Sequence, residues 1–339
     1  MKITDQNFDG VLFSDEDANI EIVKDLSVAI IGYGNQGSAQ AQNLRDSEVN
    51  VIIGARKGGN SWKRAVKNGF KVYEIAEACE KCKMISILLP DEIISKVFDQ
   101  KIKNNLDEND TILFSHGYNI HYQKIRPPTN INVVMVAPSA PGKMVRDKFV
   151  DGFGVPSLIA VHNDYNNAFN IALSYAKAIG STRSAAFLST FKEETETDIF
   201  GEQALLTGGI PKLMHESFNI LVENGYSPIT AWFVCYYEVK NIVDLLHSNG
   251  INQMYKSVSG TAEFGGRING GFLIDAKFKS KLNLVLSNIK GGKFFKEWEF
   301  ESNNGYKTLE VERNSSSFTL IDKVTKILLK FINRKKTIV

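Results

Sequence analysis

The chain is poor in cysteine, with three among 339 residues. Three thiols cannot build a disulfide framework, which excludes a small disulfide-stapled fold and predicts a reducing compartment. Cys79 and Cys82 form a CxxC, but no second cysteine pair completes a zinc site, and Ala76–Cys82 reads as a helix end. An excess of one charge is also lacking. Forty Lys+Arg against 38 Asp+Glu leave +2, so no global field recruits nucleic acid or a membrane surface. No apolar run reaches the roughly 18 residues of a membrane helix. Met1–Asn7 lacks the apolar segment of a signal peptide. These absences predict a cytoplasmic protein whose partners are small molecules, not nucleic acid or membrane. No internal repeat is visible. The one biased stretch is basic, Lys323–Lys336, and reads as a solvated helix face running into a frayed tail.

What is present is an ordinary globular composition, 43% hydrophobic and 23% charged, in a chain long enough for two domains at ~150 residues each. The first half alternates apolar runs with helical patterns. Strands are predicted at Ser27–Gly32, Val49–Gly54, Met84–Pro90, Thr111–Phe114, Val133–Val136 and Pro156–Val161, with helices such as Ser61–Asn68 and Ala168–Ile179 between them. That alternation predicts a parallel sheet covered by helices on both faces. From about Thr190 the strand runs stop. Thr195–Leu206, Pro211–Asn224 and Pro228–Leu246 have helical length and spacing, and Gly225 and Gly250 stand where helices should end. The expected organisation is an α/β dinucleotide-binding domain over 1–182, an all-helical domain over 183–330, and a basic tail over 331–339.

Gly32-Tyr33-Gly34-Asn35-Gln36-Gly37 is a GxGxxG lying between a predicted strand and the helical segment Ser38–Arg45. That context makes the motif informative. Gly32 permits a tight turn, Gly34 lets backbone approach a pyrophosphate, and Gly37 allows close helix–strand packing. The end of the second strand separates NAD from NADP. An acidic residue there would bind the ribose 2′-hydroxyl, but the sequence reads Gly54-Ala55-Arg56-Lys57-Gly58-Gly59-Asn60-Ser61. Arg56, Lys57 and Ser61 suit a 2′-phosphate.

In Phe191–Gln203, Glu194, Asp198 and Glu202 stand at i, i+4 and i+8, so one helix face carries three carboxylates. Like charges at that spacing destabilise an isolated helix. Oxygen ligands on a rigid helix suit Mg²⁺, and a solvated acidic face remains the other reading. At this point the chain resembles the short form of the ketol-acid reductoisomerase family. The resemblance runs through Gly32–Gly37, Leu89-Pro90-Asp91-Glu92, His116-Gly117-Tyr118-Asn119-Ile120-His121, Met135–Pro138, Gly152–Pro156, Phe191–Gln203 and Ser259–Gly265. It implies a Rossmann-type domain followed by a knotted helical domain that pairs two chains. It also implies NADPH or NADH, two Mg²⁺ ions, and a small-molecule acetohydroxy acid whose alkyl group migrates before hydride reduction. By the same resemblance Asp198 bridges both metals, Glu202 holds the first and Glu238 the second. Ser259 contacts the substrate carboxylate, His116 stands near nicotinamide and metal, and Glu194 lies beside the site. A homodimer or larger assembly follows, with Glu238 supplied across the interface.

The chain departs from the family pattern at two main places. Ser139 replaces the lysine of Ala-Pro-Lys-Gly-Pro-Gly, and Val234 replaces the first of two second-metal glutamates. Gly59 replaces a serine of the cofactor loop, and Ser38 and Gly260 also differ. The paired loss of an ammonium and a carboxylate is expected to leave one well-held metal and a reworked substrate site. The reading this favours is an enzyme remodelled for a specialised-metabolite substrate, for example cyclopropanol formation from a sulfonium diol. The alternatives are an authentic ketol-acid reductoisomerase of branched-chain amino-acid synthesis and a non-catalytic cofactor-binding homologue.

Overall fold

The structure, a computed structural model, describes residues 2–5, 8–316 and 319–332. Of the expected basic tail, residues 333–339 lie outside the described residues. The chain divides into two compact units, Met1–Thr197 and Asp198–Val339.

The first unit is built on one ten-stranded sheet. Its strands are β1 (Lys2–Asp5), β2 (Phe8–Phe13), β3 (Val28–Ile31), β4 (Val51–Gly54), β5 (Val72–Tyr73), β6 (Met84–Ile87), β7 (Thr111–Phe114), β8 (Asn132–Pro138), β9 (Ser157–Asn163) and β10 (Ala186–Leu188). They lie in the order β1-β2-β10-β9-β8-β7-β6-β3-β4-β5. From β5 through β8 every pairing is parallel. The fully parallel sheet expected from the sequence needs correction beyond β8. β9 runs antiparallel to β8, β10 lies parallel to β9, and β2 and β1 close the edge antiparallel. Apolar runs mark strands but carry no direction, so this reversal had no signature in the sequence.

The β3 strand shows why these runs are continuously apolar. All four residues are buried; Val28 and Ile30 join the core on one face of the sheet, Ala29 and Ile31 the core on the other. A strand covered on both faces loses its polar alternation. Ala41 and Leu44 of the helix Asn35–Asp46 and Ala172, Leu173 and Ala176 of the helix Ala168–Ala178 cover one face. Ile75, Ala78, Ile94 and Phe98 cover the other, together with Cys79 and Cys82. Burial pushes both thiols up to about 12, which removes the thiolate that metal binding or redox chemistry requires.

The second unit is helical. The helix Phe191–Gly201 runs into it and widens into a π-helical turn at Glu202–Leu206. After it come Gly209–Glu223, Pro228–Trp232, a second π-helical turn at Phe233–Tyr237, and Val239–Lys256. Ser227 starts one helix by accepting from the Ile229 N–H, with Pro228 at the first helical position. Gly225 ends its helix with φ of 88°, and Gly250 breaks Val239–Lys256 with φ of 75°. Both π turns fall where a regular helical period was expected, and π turns cluster at functional sites. The core of this unit is small, comprising Phe218, Ala231, Trp232, Ile321 and Val324. The helix Gly260–Leu273 instead exposes Phe264, Ile268 and Phe272, one turn apart, at 72%, 60% and 79%. Among the described residues no helix is long and apolar enough to cross a membrane.

Trp232 is fully buried, and its Nε1–H donates to Thr325 Oγ1 at 2.8 Å. Trp232→Ala is expected to destabilise this unit by about 3–5 kcal/mol, the usual cost of emptying a buried aromatic site. Denaturant unfolding followed by circular dichroism checks this, and a loss below about 1 kcal/mol would contradict the assigned core.

Candidate active site

The sheet reverses its winding between β3 and β6, and the crevice beyond those strand ends is where open α/β sheets bind ligands. The glycine turn occupies that position. Gly32 has φ of 98°, and a Cβ there would stand 2.7 Å from the Leu88 carbonyl oxygen. A Cβ on Gly37 would stand 2.3 Å from the Gly32 oxygen. Gly34 differs, because a Cβ there would meet no protein atom within 4 Å. Gly34 also caps the helix Asn35–Asp46 without a side-chain partner for its first N–H groups. The open face at Gly34 and these donors fit a pyrophosphate. A cavity of about 270 Å³ opens here, lined by Gly34–Gln36, Ile87–Asp91, Ser115 and His116 among others.

Tyr33 offers this turn only its backbone. Its ring is buried edge-on against Phe70, and its hydroxyl accepts from Asn68 Nδ2 at 2.9 Å. Arg64, which the sequence reading passed over, donates to the Tyr33 carbonyl from the helix Asn60–Lys67. Ser61 lies in the first turn of that helix. Arg56 is exposed in the loop before it, where the Gly59 N–H donates to its carbonyl at 3.0 Å. A polar thread backs the turn. Gln36 Nε2 donates to the Ala140 carbonyl at 2.8 Å, and Gln40 Nε2 to Ser115 Oγ at 3.0 Å. The buried Tyr175 hydroxyl donates to Gln40 Oε1 at 2.8 Å. Ser139, exposed after β8, directly precedes Ala140.

His116 follows β7 and faces two carboxylates. With its proton on Nδ1, the tautomer its partner selects, it donates to Glu194 Oε1 at 2.8 Å. The Gly117 N–H donates to Glu194 Oε2 at 2.7 Å. Glu194 is only 3% exposed, so these two donors replace the water it has lost. On the other side, His116 Nε2 stands 4.0 Å from Asp91 Oδ2. Burial pushes the Asp91 carboxyl up to about 6, against the opposing pull of His116. Asp91 was quoted from the sequence only as part of a motif. Its place directly after the apolar run Met84–Pro90 was the available signal.

Glu194 and Asp198, one turn apart, present ligand oxygens within 4.8 Å of each other. Asp198 and Glu202 are both exposed, and Glu202 opens the first π turn. Two solvated carboxylates one turn apart fit Mg²⁺, which keeps several waters. Val234 lies in the second π turn and the exposed Glu238 caps it. Ser259 caps the helix Gly260–Leu273, accepting from the Ala262 N–H at 3.2 Å. Among the described residues, no group of three or more ligating side chains includes Glu202 or Glu238.

A mostly parallel sheet with a glycine turn at its reversal point, joined to a helical unit bearing carboxylates, defines a nicotinamide-dependent oxidoreductase of the Rossmann type. Residues 22–185 match the family model of the acetohydroxy acid isomeroreductase NADPH-binding domain, and residues 191–333 match that of the ketol-acid reductoisomerase C-terminal domain. The chain belongs to the ketol-acid reductoisomerase family. It is 47% identical over 326 residues to the ketol-acid reductoisomerase (NADP(+)) of Methanocaldococcus jannaschii, covering 96% of this chain and 99% of that one. The Methanopyrus kandleri protein of the same name is 45% identical over 322 residues, covering 95% and 98%. The solved structure of an NADH-preferring ketol-acid reductoisomerase from an uncultured archean matches with a TM-score of 0.92 at 39% identity, covering 94% and 98%. The expectation of a specialised-metabolite substrate gains no support from these relatives. They favour the authentic activity that stood as its alternative.

Gly34→Val is expected to fold and to lose at least about tenfold in NADPH and NADH affinity, because its side chain fills the open cradle. Gly37→Val is expected to lose stability as well, since its Cβ meets backbone. Fluorescence titration beside thermal melting separates the two, and unchanged affinity in Gly34→Val would remove the assigned site.

Proposed function

We propose that this chain is an authentic ketol-acid reductoisomerase. It shifts an alkyl group within an acetohydroxy acid and reduces the resulting ketone with a nicotinamide cofactor. The observation carrying this reading is the open glycine cradle and the Glu194-bound His116 sharing one cavity at the sheet's reversal point. We take 1–182 as the cofactor domain and 183–330 as the domain bearing metal and substrate residues. Bound Mg²⁺ supplies Lewis acidity to the substrate oxygens, and the nicotinamide supplies the hydride.

The chain's own residues divide the work. Gly32–Gly37 receive the pyrophosphate. Arg56 and Ser61 receive a 2′-phosphate, with a modest preference for NADPH because Gly59 brings no donor. Glu194 holds His116 oriented towards the cavity. Asp198 and Glu202 would hold one Mg²⁺. Asp198 and Glu238 would hold a second ion, less tightly by about 1–3 kcal/mol for want of a carboxylate at Val234. Ser259 meets the substrate carboxylate, and Ser139 and Val234 line its site. Three free cysteines, two of them buried, agree with a cytoplasmic protein.

The deciding assay is acetolactate turnover with NADPH and Mg²⁺. Turnover is expected in the unmodified protein and its loss in Asp198→Asn. No turnover, together with activity gained by Ser139→Lys with Val234→Glu, would return weight to a remodelled substrate.

The exposed Phe264–Ile268–Phe272 stripe supports a homodimer or larger assembly. The separate exposure of Glu238 supports a site completed by a second copy. Mixing Asp198→Asn with Glu238→Gln chains then restores about a quarter of the activity, since half of the random dimers carry one intact site. A monomer in light scattering, or no recovery on mixing and re-equilibration, would overturn the shared site.

A further inference from the structure

The strand β6 is buried throughout and apolar except at Ser86. The Ser86 hydroxyl meets that of Tyr175, also fully buried, at 3.1 Å. Gln40, equally buried, accepts from Tyr175 through Oε1 at 2.8 Å. For stability alone these polar groups are an odd choice, because apolar groups of the same shape would serve nearly as well. What a fully satisfied network adds to a core is one fixed arrangement of the parts it touches.

The hydrogen bonds run in a single direction. A phenol has one proton, and burial holds the Tyr175 hydroxyl well above the ordinary phenol range, against a smaller opposing pull from Ser86. That proton goes to Gln40 Oε1, so Ser86 donates to the Tyr175 oxygen. With its oxygen engaged, Gln40 turns its amide nitrogen the other way. It donates to Ser115 Oγ at 3.0 Å and to Gln36 Oε1 at 3.1 Å. Gln36 stands one turn earlier on the same helix, and its own nitrogen then donates to the Ala140 carbonyl at 2.8 Å. A reversed Gln40 amide would reverse Gln36 and set its oxygen against the Ala140 oxygen. One hydroxyl proton thus orients two amides in series.

The series ends at the loop that carries Ser139. The Ser139 N–H donates to the Pro156 carbonyl at 2.9 Å, and Gln36 holds the next carbonyl. Gly142 lies so close to the glycine turn that a Cβ there would collide with the Asn35 carbonyl oxygen. Of these holds, only that of Gln36 comes from a side chain whose direction can be reversed.

We propose that Tyr175 and Gln40 are positioning residues for the substrate wall at Ser139. They act through Gln36 and the Ala140 carbonyl, without touching a ligand. The proposal rests on the reductoisomerase reading and adds a control of its substrate site from within the core.

The test uses three single variants of the full chain. Each is read by thermal melting, by NADPH affinity without substrate, and by steady-state kcat and KM for acetolactate with NADPH and Mg²⁺. Tyr175→Phe keeps the ring and removes the proton that heads the series. Gln40→Met keeps the length of the side chain and donates nothing. Both should bind NADPH within about threefold of the unmodified protein and lose about ten- to a hundredfold in kcat/KM, the scale of a misplaced site wall. Ser86→Ala is the control. It removes a buried hydrogen bond of similar depth but leaves Tyr175 donating to Gln40, so kcat/KM should stay within about twofold. A loss in Ser86→Ala equal to that in Tyr175→Phe would mean a general loosening of the core and overturn the proposal. NADPH affinity falling in step with kcat/KM would place the effect in the cofactor turn and overturn it too. So would kcat/KM within about twofold in both Tyr175→Phe and Gln40→Met, or failure of both to fold. All of these leave the reductoisomerase reading standing. An unmodified protein that binds NADPH but turns over no acetolactate would overturn that reading and the proposal with it.

Discussion

The structure depends on one buried carboxylate. Glu194 has given up nearly all its water and holds two N–H donors in return, from His116 and from the backbone of Gly117. A desolvated charge is tolerable only when its oxygens are satisfied in this way. The two bonds tie the loop after β7 to the helix Phe191–Gly201, so the imidazole and the carboxylate-bearing helix take their places together. Removing either partner strands a polar group in the interior, which ordinarily costs more than the bond contributed.

Around that tie, the cofactor crevice is shaped by contacts that leave little slack. The Gly32–Gly37 turn is closed by backbone against backbone and leaves only Gly34 open. Behind it, Tyr175, Gln40, Ser115 and Gln36 link the interior of the sheet to the cavity wall through hydrogen bonds. Arg64 and Asn68 grip Tyr33 at its carbonyl and its hydroxyl, which couples the basic loop's helix to the glycine turn.

The helical unit follows a different logic. Its core gathers around Trp232 and Phe218, while large apolar side chains on Gly260–Leu273 face outward. The two π turns belong to the same picture. They widen the helices at Glu202–Leu206 and Phe233–Tyr237, on the segments that carry or adjoin Glu202, Val234 and Glu238.

Much of this was determined by the sequence alone. Local patterns sufficed for six of the ten described strands, the helical second half, the glycine turn and the carboxylate stripe. Apolar runs of four residues, GxGxxG after a strand, and i, i+4, i+8 spacing are each encoded within a short window. The family followed from motifs spread along the whole chain. The tertiary structure decided what no window contains. β9 runs antiparallel because direction depends on where the chain re-enters the sheet. Tyr33 points into the core because Phe70 and Asn68 wait for it there. Asp91 stands across from His116 only because β6 and β7 lie side by side, which brings two residues 25 positions apart to 4.0 Å. Pairing across a sheet is long-range, and its consequences for a single carboxylate depend on burial and neighbours that exist only after folding.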